Sequence, residues 1–160
     1  MTDVDVLEKR LDVRKYSRVF VYDVGGLRGG YVANFVAEAG ASKVELASPL
    51  LAVCEELDDT TKPSIYRALA KNNVICTPNQ YLVSQREGNL ILRDAWSDIE
   101  REVRDVDLII FAGFRNAVSY LRDELLEKKP DLDVFLVGDS VAPRMLRDAV
   151  AEGARAGNRV

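Results

Sequence analysis

The chain reads as an α/β protein: a three-layer domain with a parallel sheet and an antiparallel β-meander, followed by a strand and helix that stand apart from it. Three observations predict this. Short apolar runs at Val19–Tyr22, Val44–Ala47 and Asp107–Ala112 alternate with stretches of helical periodicity, the pattern of βαβ units. A glycine-rich turn, Asp23-Val24-Gly25-Gly26-Leu27-Arg28-Gly29-Gly30, separates the first run from the first helix. Two further apolar runs, Tyr81–Ser84 and Leu90–Leu92, are joined by a polar stretch containing Gly88, which predicts a hairpin.

Composition narrows the chemistry. At 160 residues the chain can bury a core without disulfides or metal, and its net charge of −4 with a pI near 5.0 argues against a nucleic-acid or anionic-membrane surface. No apolar run approaches the roughly 20 residues that span a bilayer and no signal-peptide pattern is present, so a soluble cytoplasmic protein is expected. Histidine is absent, which removes Ser-His-Asp and Cys-His catalysis and the commonest zinc ligand. With only Cys54 and Cys76, neither a CxxC pair nor the four thiolates of an iron–sulfur cluster can be built, and both read as core or near-surface thiols of a reducing compartment. No catalytic residue and no metal site stands out.

Residues 1–17 are charged, with Val4, Val6, Leu7 and Leu11 as the apolar positions, and read as a lead-in arm or short helix. Val19–Tyr22 is the first strand. After the glycine-rich turn, Val32, Phe35, Val36 and Ala39 form the inner face of a helix stopped by Gly40, and Val44–Ala47 is the second strand. Thr60-Thr61 and Pro63 start a helix whose inner face is Ile65, Ala68 and Leu69; Asn72-Asn73 ends it, and Val74–Cys76 is a third strand. After the hairpin, residues 94–106 fit either a helix or a meander. A strand at Asp107–Ala112 ends at Gly113-Phe114-Arg115-Asn116, and a helix then presents Val118, Leu121 and Leu125 before Pro130.

Strand, glycine-rich loop, helix, strand is the Rossmann outline, but its fingerprint is damaged. Asp23 stands where the first glycine of G-x-G-x-x-G is expected, and the third falls at Gly29, one residue late. A carboxylate at that turn would repel phosphate. Ser48 takes the place of the acidic residue that holds a ribose. If the loop binds nucleotide at all, Gly25 and Gly29 are its candidates.

Residues 134–144, Val-Phe-Leu-Val-Gly-Asp-Ser-Val-Ala-Pro-Arg, read as a buried strand, a sharp acidic turn and a helix starting at Ala142 to Arg144. Met145, Leu146, Ala149, Val150, Gly153, Ala154 and Gly157 fall on one helical face, small enough to approach another backbone closely. A helix start beside Asp139 suits a phosphate or a flavin's polyol chain. The plainer reading keeps Asp139 as a turn or cap residue and Arg144 as the partner of a surface carboxylate.

This stretch resembles the closing segment of the two-nucleotide-domain flavoproteins, most closely the trimethylamine dehydrogenase family and its NADH:flavin oxidoreductase (2,4-dienoyl-CoA reductase-like) relatives. Residues Asp107 to Asn116 resemble the strand end by which the NAD-like domain of that family returns to its FAD-like domain, and the hairpin matches its β-meander. The resemblance runs from about Arg18 to Val160. It implies a Rossmann-like, NAD-like domain over 18–133 and, over 134–160, the closing strand and helix of a second, incomplete FAD-like domain. By resemblance Gly138, Asp139, Ala142, Pro143 and Arg144 would approach an ADP or FAD shared with a partner. The first half of the FAD-like domain has no counterpart before Val19, so the resemblance implies a larger partner subunit carrying FMN, an iron–sulfur cluster and the missing half-domain, with this chain as a non-catalytic subunit. A free-standing ADP- or NAD-binding or structural module is the alternative expectation.

Overall fold

The computed structural model describes residues 1–8, 11–113 and 115–159. The chain forms two compact units, Met1–Gly113 and Phe114–Val160.

The first unit begins with a short helix α1 (Asp3–Leu7), capped by Thr2, whose hydroxyl accepts from the Asp5 N–H. Strand β1 (Arg18–Asp23) leads into α2 (Gly29–Glu38), β2 (Lys43–Ala47), α3 (Lys62–Lys71) and β3 (Ile75–Thr77). A meander of β4 (Gln80–Arg86), β5 (Asn89–Asp94) and β6 (Glu100–Val103) follows, and β7 (Leu108–Ala112) closes the unit. The parallel sheet has the order β3-β2-β1-β7, so the chain leaves β1 in one direction and returns on its other side. The C-terminal end of β1 is thus the switch point of the sheet, the place where open α/β sheets bind ligands.

Alternation along the strands makes the three layers. Val19, Val21, Val44, Leu46 and Ile110 face the helices, where Val32, Val36, Ile65 and Leu69 meet them. Phe20, Tyr22 and Ala47 point to the other side and bury Leu90, Leu92 and Val103 of the meander. A polar bridge joins the two sheets: the Arg101 guanidinium pairs with buried Glu45, whose carboxylate also accepts from the Thr77 hydroxyl at 3.0 Å. The hairpin turns at Glu87 (φ +48°) and Gly88 (φ +82°), the left-handed pair that a two-residue turn with the right twist requires. Residues 94–106 resolve as meander: Asp94 accepts from the N–H groups of Trp96 and Ser97, closing a tight turn into β6.

The second unit contains α4 (Tyr120–Lys128), a 3₁₀ turn at Gly138–Ser140 and α5 (Leu146–Gly157). Here two expectations are corrected. Val134–Val137 forms no strand; Val134 and Leu136 are half-buried, Phe135 and Val137 are exposed, and a strand needs a neighbour to accept its backbone pairs. The last helix starts at Leu146 rather than Ala142–Arg144, because the Met145 N–H is capped by the Asp148 carboxylate at 3.2 Å, leaving Pro143 in the approach. No residue of α4 or α5 is buried, so the apolar positions Leu121, Leu146 and Val150 lie on the surface of this unit. Phe114, part of the strand end read from the sequence, lies outside the described residues.

Candidate functional site

The glycine-rich loop stands at the end of β1, where a dinucleotide's phosphates would be expected. Asp23 is the last residue of that strand and is buried. Its Oδ1 accepts from the N–H groups of Gly25 at 3.1 Å and Gly26 at 3.0 Å, and its Oδ2 from the N–H of Gly29, the first residue of α2, at 3.1 Å. Burial pushes the Asp23 carboxyl up, and the three N–H groups and the Arg28 charge oppose that rise. Gly25 and Gly29, the two glycines expected to face a nucleotide, therefore direct their N–H groups at the chain's own carboxylate. A Cβ on Gly29 would come within 2.3 Å of the Asp23 Cβ, so only glycine fits there.

The surrounding groups are held in the same way. The Arg28 guanidinium donates to the Gly113 carbonyl at 3.2 Å and pairs with Asp3 of α1 at 2.9 Å. Residues 48–57, between β2 and α3, fold over the loop: the Glu56 N–H donates to the Gly26 carbonyl at 3.2 Å, and Leu50 packs where a Gly26 side chain would be. The Cys54 sulfur packs against Gly30, 2.3 Å from where a Cβ of that residue would be. Ser48, at the ribose position, is fully buried, with its hydroxyl accepting from the Leu50 N–H at 3.2 Å. Nothing in the sequence pattern places Asp3 and Cys54 against the loop or pairs Arg28 with Asp3. An Asp two and three residues before glycines is an Asx-turn signal, which would have foretold the carboxylate turning back onto its own backbone.

In the second unit the predicted residues are only partly brought together. Gly138 is buried at φ +62°, and its N–H donates to the Glu152 carboxylate of α5 at 2.7 Å. Arg144 pairs with the same carboxylate, so it serves a carboxylate of its own unit. These two partners hold Glu152 below the usual range, the Gly138 N–H most of all. Asp139 is exposed, and among the described residues no hydrogen bond or ion pair engages its carboxylate. Ala142 and Pro143 are half-buried in the segment leading to α5. Of the small-residue face, Ala149 meets Gly138 closely, 3.1 Å from where its Cβ would be, whereas Gly153 and Gly157 face open space. Beside them lies an open groove of about 230 Å³, lined by Phe135, Leu136, Val137 and Val141 on one side and Glu152 and Ala156 on the other.

Solved structures share this fold. Histamine dehydrogenase from Rhizobium sp. 4-9 matches 99% of the chain with a TM-score of 0.85 at 23% identity. The chain has the fold of a segment of that enzyme. The 6-hydroxypseudooxynicotine amine oxidase of Pseudomonas geniculata N1 matches 98% of the chain with a TM-score of 0.86 at 18% identity, and 2-naphthoyl-CoA reductase matches 100% with 0.80 at 20%. The segment spans only 26%, 24% and 23% of those chains. No family model matches it, and no characterised protein matches it by sequence. Among the described residues no helix is long and apolar enough to cross a membrane, and no group of His, Cys, Asp and Glu could hold a metal ion.

Proposed function

We propose that this chain is a small, non-catalytic subunit of a split trimethylamine dehydrogenase-like FMN and iron–sulfur oxidoreductase of the cytoplasm, in which residues 134–160 complete a nucleotide domain of the larger subunit. The observation that carries this reading is the segment Val134–Val137. It is an all-apolar run with no strand to pair with, and it adjoins a helix whose Leu146 is 81% and Val150 63% exposed, in a chain that matches about a quarter of larger oxidoreductases. Apolar surface of this kind calls for a partner that covers it.

The residues present fit a shared nucleotide in one respect. Asp139, exposed and without a partner among the described residues, would accept from the hydroxyls of a ribose or ribityl chain held jointly with the larger subunit; Gly138 would give shape and no hydrogen bond, since its N–H is engaged by Glu152. FMN and the iron–sulfur cluster would reside in the partner, because two separated cysteines and no histidine give this chain no donor set for a cluster. The alternative, a nucleotide-binding module working alone through the glycine-rich loop, is disfavoured by the engaged N–H groups of Gly25 and Gly29.

Gentle co-purification from the chain's own cells, followed by intact-complex mass and a visible spectrum, tests the proposal. A larger partner in fixed ratio with flavin and iron–sulfur absorption is expected. A colourless chain without a partner would overturn it.

A further inference from the structure

We propose that Asp23 is a built-in stand-in for the phosphate of a dinucleotide, so that the glycine-rich loop is a closed structural joint and not a nucleotide site. A helix N-terminus offers free N–H groups and the positive end of the helix dipole, and a Rossmann loop directs them at a bound pyrophosphate. In this chain the same donors converge on the chain's own anion. Gly25, Gly26 and Gly29 donate to the two oxygens of one buried carboxylate at 3.0–3.1 Å. The Cys54 sulfur covers the next residue of α2, Gly30, where it leaves no room for a Cβ.

Everything else a phosphate or ribose would use is occupied too. The Arg28 cation is neutralised by Asp3, which is itself 3% exposed, and is fixed on the Gly113 carbonyl. Ser48 is turned inward. Leu50 and Glu56 pack on Gly26, on the side of the loop facing β2, where the nucleoside would lie. A dinucleotide would have to displace a carboxylate already making three charge-assisted hydrogen bonds, and then bring its own negative charge beside it. The fingerprint's geometry has thus been kept while its ligand has become a side chain. Because this concerns the first unit alone, it stands whether or not the second unit docks on a larger subunit.

The experiment uses the full chain, with inorganic pyrophosphate and NADH as probes. In a two-dimensional amide spectrum the resonances of Gly25, Gly26 and Gly29 are expected to hold their positions up to millimolar concentrations of either probe. Movement of those three resonances on titration with NADH would overturn the proposal, whatever binds elsewhere. The converse is chemical rescue. Asp23→Ala should lower the melting temperature by several degrees, and formate or inorganic phosphate should restore part of that loss while leaving the wild-type melting temperature unchanged at matched ionic strength. An Asp23→Ala chain as stable as wild type, or one that both anions leave unmoved, would show that the carboxylate does not fill an anion seat. If Asp23→Ala fails to fold, Asp23→Asn, which keeps one acceptor oxygen, takes its place in the rescue, and the wild-type titration decides independently.

Discussion

Cys54 lies in the left-handed region at φ +58°, an uncommon place for a side chain larger than glycine's, with its sulfur seated over Gly30. Burial pushes its thiol up to about 12; burial also raises the thiol of Cys76, but that residue, on the edge strand β3, is exposed to reagent. A thiolate is the reactive form, so iodoacetamide at pH 8 should label one cysteine of the native chain, Cys76, and reach Cys54 only on unfolding. Peptide mass spectrometry reads this directly; equal labelling of both would mean that residues 48–57 open readily from the glycine-rich loop. Two glycines give a second contrast. Gly29→Ala places a Cβ 2.3 Å from that of Asp23 and should cost roughly 1–3 kcal/mol or more in a urea melt. Gly153→Ala meets open space in the middle of α5 and should gain about 0.5–1 kcal/mol.

Helix α5 separates two kinds of substitution. Ala149→Glu would push into Gly138, so its damage could come from within the unit. Val150→Glu, at an exposed position, should leave the helical circular dichroism unchanged while abolishing capture by the larger subunit; retained capture would remove this face from the interface. The elements of the first unit were largely legible in the sequence because each settles its own periodicity inside the chain. Val19–Tyr22, Val32–Val36 and the Leu90–Leu92 hairpin arm all find their burial partners within 113 residues. Residues 134–137 have the same strand-like composition and form no strand, since hydrogen bonds across a sheet depend on a neighbour that no local pattern supplies. Likewise the glycine spacing disclosed a nucleotide fingerprint and its flaw, but the positions of Asp3 and Cys54 against that loop are tertiary, set by α1 and by the cover of residues 48–57.

For the whole molecule, acid should act through carboxylates of opposite tendency. Asp94 is held low by the Ser97 and Trp96 N–H groups, Asp58 by the Thr60 and Thr61 hydroxyls, and Glu152 by the Gly138 N–H and Arg144. A depressed carboxylate contributes stability that is present above its unfolded value, about 4, and is lost as pH falls through the folded value. Asp23 is raised, so it binds its proton more readily when folded and its contribution grows as pH falls. The urea midpoint should therefore decline below about pH 4 in wild type, and more steeply in Asp23→Ala; a midpoint that climbs between pH 5 and 3 would contradict the depressed group. The pairing of the first residues with β7 has a consequence in time. The Phe111 N–H donates to the Met1 carbonyl at 2.9 Å, and Arg28 needs both Asp3 and the Gly113 carbonyl. At about 5–20 residues per second, these contacts wait many seconds of synthesis for their far side to leave the ribosome. Until then β1 has one flank bare, and Arg28 lacks the Gly113 carbonyl that fixes it.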